Sequence, residues 1–209
     1  YVTIATAGNA TDFGDTTVAA RNSTGCSNST RGIFMGGADS SNTRLDVMDY
    51  ITIASAGNAT DFGNLTAGKS NGNGSNSSTR GIYALGYISA ITNVIEYVTI
   101  ASAGNGTDFG DATVARLSPA NGVISSGTRG VFAGGDTSGS GRLNTIDYIT
   151  IATTGNALDF GDLISVAEAP ASCSSSTRGI ISGGTNPDSN TIQYITISST
   201  GNGTDFGDL

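Results

Sequence analysis

A fourteen-residue phrase occurs five times in this chain of 209 residues, and the repetition limits the fold more than any other feature. In its second copy the phrase reads YITIASAGNATDFG, and the five copies begin at Tyr1, Tyr50, Tyr97, Tyr148 and Tyr194. A second phrase, TRG, recurs every 49 residues, at Thr30, Thr79, Thr128 and Thr177. A fixed period of this length indicates tandem structural units that bury their apolar faces against their neighbours.

Each repeat contains four short segments that favour β-strands. In the first full repeat, YITIA at 50–54 alternates polar and apolar side chains, and a Gly-Asn turn separates it from the short aromatic strand DFGNL. The apolar segment RGIFMGG at 31–37 is typical of a strand buried on both faces. The polar segment RNSTGCSNS at 21–29 supplies the remaining strand. A loop that differs in every repeat follows the Gly pair, and binding specificity can reside in such loops.

Four strands in about 49 residues predict an all-β fold, a β-propeller of four-stranded blades. We expect residues 1–209 to form one repeat domain with a half blade and four full blades, at 1–18, 21–65, 69–112, 116–163 and 168–209. A β-solenoid is the alternative, although its coils are usually shorter and lack a Gly pair after an apolar strand.

The half blade at 1–18 carries only the third and fourth strands of a repeat, so one blade lacks its first two strands. The chain also opens within a motif, without an initiator Met or a signal peptide, which suggests a processed product or a window onto a longer array. Three explanations stay open: a fragment, a hairpin that pairs with another copy of the chain, or a four-bladed ring with a leftover hairpin. Exposed strand edges at both ends favour head-to-tail self-association.

The composition argues against several functions. The net charge of −8 opposes binding to nucleic acid or anionic lipid, and no segment of about 18 apolar residues predicts membrane insertion. The absence of His removes the usual general base, and a motif that recurs in every repeat indicates a structural role. Although paired Asp residues in DFGD could attract calcium, no denser ligand loop is present. We therefore expect no enzyme activity and no cofactor.

One cation and one carboxylate recur in each repeat and suggest structural ion pairs within or between blades. The candidate residues are Arg31, Arg80, Arg129 and Arg178, with Asp12, Asp61, Asp108, Asp159 and Asp205. The alternative is a ring of Arg side chains that presents to an anionic glycan. Cys26 and Cys173 occupy equivalent positions in two repeats, and we expect buried free thiols because such positions lie too far apart for a disulfide.

Asn-x-Ser/Thr sequons are abundant and become candidate glycosylation sites if the protein is secreted from a eukaryote. They are Asn9, Asn22, Asn28, Asn58, Asn64, Asn73, Asn76, Asn105 and Asn202. The alternative interpretation is that Asn is a turn residue here, since the turn after the Tyr strand also contains Asn156 without a sequon.

The order of these motifs resembles the kelch repeat over essentially the whole chain. In the first full repeat the matching features are Arg21, GIFMGG ending in Gly36 and Gly37, Tyr50 and Phe62. The third repeat matches with Arg116 and GVFAGG, whereas the second has Lys69 in place of the Arg and the fourth has Glu168 near that position. Phe stands where kelch proteins usually carry Trp. The resemblance implies a β-propeller that acts as a binding or scaffolding module.

The near-verbatim repetition is also similar to kelch-like arrays in tail-fibre and other virion proteins of aquatic bacteriophages. We therefore expect a non-enzymatic structural protein, such as a fibre or filament subunit, on the extracellular or virion surface. Its expected partners are further copies of itself and cell-surface glycans, which many blades could bind weakly together. The alternative is a soluble, closed propeller that binds carbohydrate or protein.

Overall fold

The computed structural model of the chain describes residues 1–138, 141–185 and 188–209. Sixteen β-strands form four antiparallel sheets of four strands each, and the described residues contain no α-helix. The prediction of an all-β, propeller-like fold with four four-stranded blades is confirmed. Within these ranges no helix is long and apolar enough to cross a membrane.

Each sheet is built from four strands that are consecutive in the chain. The first sheet contains β1 (Thr24–Ser27), β2 (Arg31–Met35), β3 (Val47–Thr52) and β4 (Thr60–Asn64). The second contains β5 (Asn73–Asn76), β6 (Arg80–Ala84), β7 (Val94–Thr99) and β8 (Thr107–Asp111). The third contains β9 (Ile124–Ser125), β10 (Arg129–Ala133), β11 (Thr145–Thr150) and β12 (Leu158–Asp162). The fourth contains β13 (Ala171–Ser174), β14 (Arg178–Ser182), β15 (Thr191–Thr196) and β16 (Thr204–Asp208).

The Tyr strand differs slightly from the predicted one. The alternation predicted a strand at 50–54, but β3 begins at Val47 and ends at Thr52, where Ser55 N–H donates to the Thr52 carbonyl at 3.2 Å and turns the chain. The register between β3 and β4 shifts between Met48 and Asp49, and the same irregularity recurs in the other three sheets. The bulge therefore belongs to the repeat and not to one local sequence.

The apolar cores lie between the sheets. Between the first two sheets, Ile33 and Phe62 pack with Tyr83 and Ile100 of the following repeat. Two equivalent clusters fill the spaces between the second and third sheets and between the third and fourth. Burial of these side chains is the main stabilising term, and it requires a neighbouring repeat.

The two ends of the array expose side chains that are buried inside it. Phe34 in β2 is 41% exposed, although Tyr83 and Phe132, at the same position of β6 and β10, are each 1% exposed. At the other end, Phe206 is 58% exposed, whereas Phe109 is 2% exposed. The strand predicted to be buried on both faces is therefore buried only where a repeat lies on each side.

A backbone ladder joins the repeats just before their first strands. Asn71 N–H donates to the Asn22 carbonyl at 3.0 Å, and Ser118 N–H donates to the Asn71 carbonyl at 2.9 Å. Ala169 N–H continues the ladder to Ser118, also at 2.9 Å. All four residues have positive φ, between 47° and 58°. No hydrogen bond among the described residues joins the fourth sheet to the first, so the ladder is open.

Residues 1–18 form only part of the predicted half blade: the first complete strand of the structure begins at Thr24, but Tyr1 and Thr11 exchange backbone hydrogen bonds at the register of Tyr50 and Thr60 in β3 and β4. The segment still folds back on itself: Thr11 N–H donates to the Tyr1 carbonyl at 2.8 Å, and the Tyr1 and Phe13 rings stack edge to face. An isolated two-stranded hairpin is marginally stable, and this one lacks the two inner strands of its blade. It keeps the position of a preceding repeat, because Gly57 and Ala59 of the first sheet donate to the Phe13 and Asp15 carbonyls.

Close backbone approach between repeats is testable at Gly110. A Cβ at Gly110 would lie 2.5 Å from the Gly155 carbonyl oxygen, whereas a Cβ at Gly207 meets nothing within 4 Å. Both glycines have φ of 140°, so Ala at either position suffers the same backbone strain. We expect Gly110→Ala to lower the free energy of unfolding by about 1–3 kcal/mol more than Gly207→Ala. Urea denaturation measures the difference, and equal losses would contradict the proposed contact.

Candidate functional site

Successive repeats are joined at their outer edges by the same three hydrogen bonds. Gly104 N–H donates to the Phe62 carbonyl at 2.7 Å, and Gly106 N–H donates to the Asn64 carbonyl at 2.8 Å. In return, Asn64 N–H donates to the Asn105 side-chain oxygen at 3.0 Å. The arrangement recurs between every pair of neighbouring repeats, including the segment 1–20 and the first sheet. We call these four contacts the first, second, third and fourth interfaces, in chain order.

The predicted Arg–Asp ion pairs are not formed among the described residues. Each predicted Arg instead lies over the Tyr ring of its own sheet, at 4.3–4.6 Å from the ring centre: Arg31 over Tyr50, Arg80 over Tyr97, Arg129 over Tyr148 and Arg178 over Tyr194. The first three also donate to a backbone carbonyl of the following repeat, as Arg31 does to Ile100 at 3.0 Å. These cations are therefore occupied by structural contacts.

The predicted carboxylates lie elsewhere. Asp12, Asp61, Asp108, Asp159 and Asp205 are all exposed. Asp12, Asp61 and Asp205 accept a hydrogen bond from the N–H of the Gly two residues later, as an Asx turn does. The ion-pair prediction was wrong because a recurring pair of opposite charges does not by itself place the two side chains together.

The sequons serve mainly as backbone-binding turns. Asn58, Asn105 and Asn202 each accept the interface hydrogen bond from the preceding repeat, and Asn156 does the same without a sequon. Asn28 accepts hydrogen bonds from Thr30 and Arg31, and Asn22 belongs to the inner ladder.

Burial rules out one of the candidate glycosylation sites. The Asn73 side chain is 3% exposed and donates to the Ala120 and Gly122 carbonyls, so this residue cannot carry a glycan in the folded chain. Asn9 and Asn64 are exposed, and Asn76 is half-buried. Glycosylation at the remaining sequons stays a prediction.

Each sheet has a buried polar residue in its third strand. This residue accepts hydrogen bonds from the linking segment that precedes the first strand of the same sheet. Glu96 accepts from the Thr66 N–H at 2.8 Å and from its hydroxyl at 2.7 Å. Asp147 accepts from the Thr113 hydroxyl, and Gln193 accepts from the Ile164 N–H at 3.0 Å. Asp49 completes the set, since it accepts from both the N–H and the hydroxyl of Thr17.

Two of these acids are neutralised by buried cations. Lys69 Nζ pairs with Glu96, and Arg116 Nη1 lies 2.7 Å from Asp147; each of these four side chains is at most 1% exposed. At the fourth interface the cation is replaced by Ala167 and the acid by the neutral Gln193. The longer Arg faces the shorter Asp, and the shorter Lys faces the longer Glu. Side-chain charge and length are therefore matched within the second and third interfaces.

Sequence reasoning missed this buried set. The kelch-like alignment placed Arg21 in register with Lys69 and Arg116, but isolated bridges place Arg21 level with Ser70 and Leu117, one residue later. Ala20 is therefore the true equivalent of the two cations. A signal was present, because Asp49, Glu96, Asp147 and Gln193 each directly precede an anchor Tyr.

The cysteines are both free, but only one is buried. Cys26 lies in the core between the first two sheets, whereas Cys173 is exposed, so the expectation of two buried thiols was wrong for Cys173. Within residues 1–209 no further repeat packs on the first strand of the fourth sheet, and this explains the exposure of Cys173. Burial raises the pKa of the Cys26 thiol from 9.0 to about 12.

The comparisons with known proteins give no relative. No protein-family model matches the chain, and no curated protein matches it. The interfaces therefore have to be interpreted from their own geometry.

The buried ion pair at the third interface gives a stability prediction. Arg116→Met leaves the Asp147 carboxylate buried without its cation, and we expect a loss of about 3–5 kcal/mol in the free energy of unfolding. The double variant Arg116→Ala/Asp147→Gln copies the neutral fourth interface and should recover much of that loss.

Urea denaturation followed by circular dichroism measures both variants. Arg142→Met is the control, because the Arg142–Glu168 pair is partly exposed and its loss should cost less than about 1 kcal/mol. A double variant as unstable as Arg116→Met would contradict the role given to the unpaired charge.

The cysteines give a labelling prediction with a defined pH dependence. Because the reactive species is the thiolate, iodoacetamide at pH 8 should modify Cys173 and leave Cys26 unmodified in the folded chain. Intact-mass measurement should show one adduct under native conditions and two in denaturant.

The raised pKa of Cys26 also predicts a pH dependence of stability. The folded state retains a proton on this thiol that the unfolded chain releases, so the free energy of unfolding should fall as pH rises from 9.0 through about 12. Cys26→Ala should remove that part of the pH dependence.

Proposed function

We propose that the chain is a non-enzymatic structural protein that associates head to tail through its two incomplete ends. The observation that carries this proposal is one interface geometry, repeated four times within the chain and left half-built at each terminus. Repeat proteins bury their apolar faces only against neighbours, so an unfilled end is a ready surface for another copy.

The N-terminal end supplies the turn that docks onto a preceding repeat. Gly8, Asn9 and Ala10 correspond to Gly57, Asn58 and Ala59, which form the first interface. In the described part of the chain the Gly8 and Ala10 N–H groups and the Asn9 side chain make no hydrogen bond. The turn thus keeps two donors and one acceptor available.

The C-terminal end supplies the matching outer strand. Phe206 and Asp208 in β16 correspond to Phe160 and Asp162 in β12, which receive the turn of the fourth repeat. Leu209 is 76% exposed, although its equivalent Leu163 is 3% exposed. Exposed apolar side chains of this kind mark an interaction surface when they lie together at one end.

The proposed junction pairs the two ends atom by atom. In the expected junction the Gly8 N–H donates to the Phe206 carbonyl, and the Ala10 N–H donates to the Asp208 carbonyl. The Asp208 N–H donates to the Asn9 side-chain oxygen, as Asp162 N–H does to Asn202 at 3.0 Å. Because the contact joins different surfaces, it is heterologous and extends into fibres unless the rotation closes a ring.

The assignment to a fibre or virion surface rests on the kelch-like and tail-fibre-like style of repetition. The structural role is supported by the hydrogen bonds of recurring side chains, since Arg31 and Asn105 and their equivalents join one repeat to the next. Weak, multivalent attachment to surface glycans through the variable loops remains part of the proposal.

Sedimentation velocity across a range of protein concentrations tests the association, and electron microscopy shows its form. We expect the mass to rise with concentration and elongated particles to appear. A chain that stays monomeric at every concentration would contradict the proposal, and so would compact particles of fixed small size.

Asn9→Ala and Asn58→Ala form a matched pair for the junction. The Asn9 side chain makes no hydrogen bond among the described residues, so its replacement should weaken association by about tenfold and leave the unfolding midpoint unchanged. Asn58→Ala removes the internal acceptor of the Asp15 N–H and should lower stability at the first interface. If Asn9→Ala associates like the wild type, the assigned junction is wrong.

A further inference from the structure

We propose that the first interface is a binding site for a guanidinium group, held by the buried carboxylate of Asp49. The second and third interfaces each contain a buried cation, Lys69 and Arg116. The site lies at the equivalent position of the first interface, where the chain has Ala20. It is independent of the head-to-tail association.

The carboxylate of Asp49 lacks a cationic partner. Asp49 is 4% exposed and accepts hydrogen bonds from Thr17 at 2.8–2.9 Å. Among the described residues the ion pairs involve Glu96, Asp147 and Glu168, and none includes Asp49. A buried carboxylate without a counter-charge is costly, so a cation that reaches it gains a large electrostatic interaction.

The other interfaces show what is missing. Glu96 has Lys69, Asp147 has Arg116, and the fourth interface lost its cation and its acid together, with Ala167 facing Gln193. At the first interface only the cation is replaced: Ala20 stands at its position, while the acid Asp49 is retained.

A cavity occupies the place of the missing side chain. Its volume is about 70 Å³, and its lining includes Val18, Ala20, Phe34 and Asp49. Ala20 is exposed, so the cavity is open to solvent. The space is larger than one water molecule requires.

The third interface identifies the chemical class of the ligand. There the Arg116 guanidinium donates to the Val114 carbonyl at 3.2 Å, to the Phe132 carbonyl at 3.2 Å and to Asp147 at 2.7 Å. The equivalent residues at the first interface are Val18, Phe34 and Asp49, and all three line the cavity. The carboxylate is also Asp, the residue that pairs with Arg in this chain. A planar group with several fixed donors fits these acceptors better than an ammonium ion does.

Two-dimensional ¹H–¹⁵N NMR of the Thr17 amide tests the proposal, because this N–H donates directly to Asp49. The probes are methylguanidinium and a Gly-Arg-Gly peptide, added to the full chain in the Asn9→Ala background, which weakens self-association, at a fixed protein concentration. We expect a saturable shift in the millimolar range. If the peptide binds no more tightly than methylguanidinium, the ligand is a small molecule. If the peptide binds more tightly than methylguanidinium, the ligand is an arginine side chain of a polypeptide.

Asp49→Asn should weaken binding by at least about tenfold, because it removes the charged acceptor. Ala20→Arg restores the arrangement seen at Arg116, so it should abolish binding and raise the unfolding midpoint; Ala20→Lys serves the same purpose if that variant does not fold. Tetramethylammonium, which cannot donate hydrogen bonds, should cause no saturable shift. The proposal is overturned if the Thr17 amide does not respond to either probe, if tetramethylammonium acts equally, or if Ala20→Arg binds like the wild type.

Discussion

The burial of one repeat's apolar face against the next is the interaction on which the rest of this structure depends. Each sheet is only four strands wide, and its Tyr, Phe and Ile side chains become buried only when a neighbour covers them. The outer hydrogen bonds at Asn105, the inner ladder at Asn71 and the buried pair at Glu96 all fix the distance and angle at which this burial occurs. The recurring phrase therefore reproduces the same packing distance and angle between each pair of neighbouring repeats.

The two ends and the first interface each differ from the other interfaces in one respect. The ends have no neighbouring repeat among the described residues, and the first interface has no buried cation there. Phe34 at one end and Phe206 at the other are exposed where no repeat of the described residues packs against them, and the proposed association uses these two ends. Removing only a cation leaves the Asp49 carboxylate beside an open cavity. In both places the equivalent positions elsewhere in the chain are filled, by a neighbouring repeat at Phe109 and by a cation at Arg116.

Much of the fold was predictable, because period and strand alternation depend on local sequence. The four sheets, the Gly pairs and the turn asparagines all follow from the repeated phrases. The roles of Arg31 and Asp61 were not predictable, since a cation can face a ring, a carbonyl or a carboxylate with similar energy and only packing decides among them. The position of Ala20 was missed because a shift of one residue in a variable linking segment leaves the motif pattern almost unchanged.

The sequence by itself determined that this protein is an all-β array of four-stranded repeats, because apolar alternation and fixed spacing leave few other ways to bury the same side chains each time. Only the tertiary structure decided which charges are buried together. Lys69 lies far along the chain from its partner Glu96, and so does Arg116 from Asp147. The free energy of a buried charge, including that of a carboxylate at Asp49, depends on atoms supplied by other strands. The same holds for Phe34 and Phe206, whose exposure depends on whether another repeat packs against them and not on the residue type.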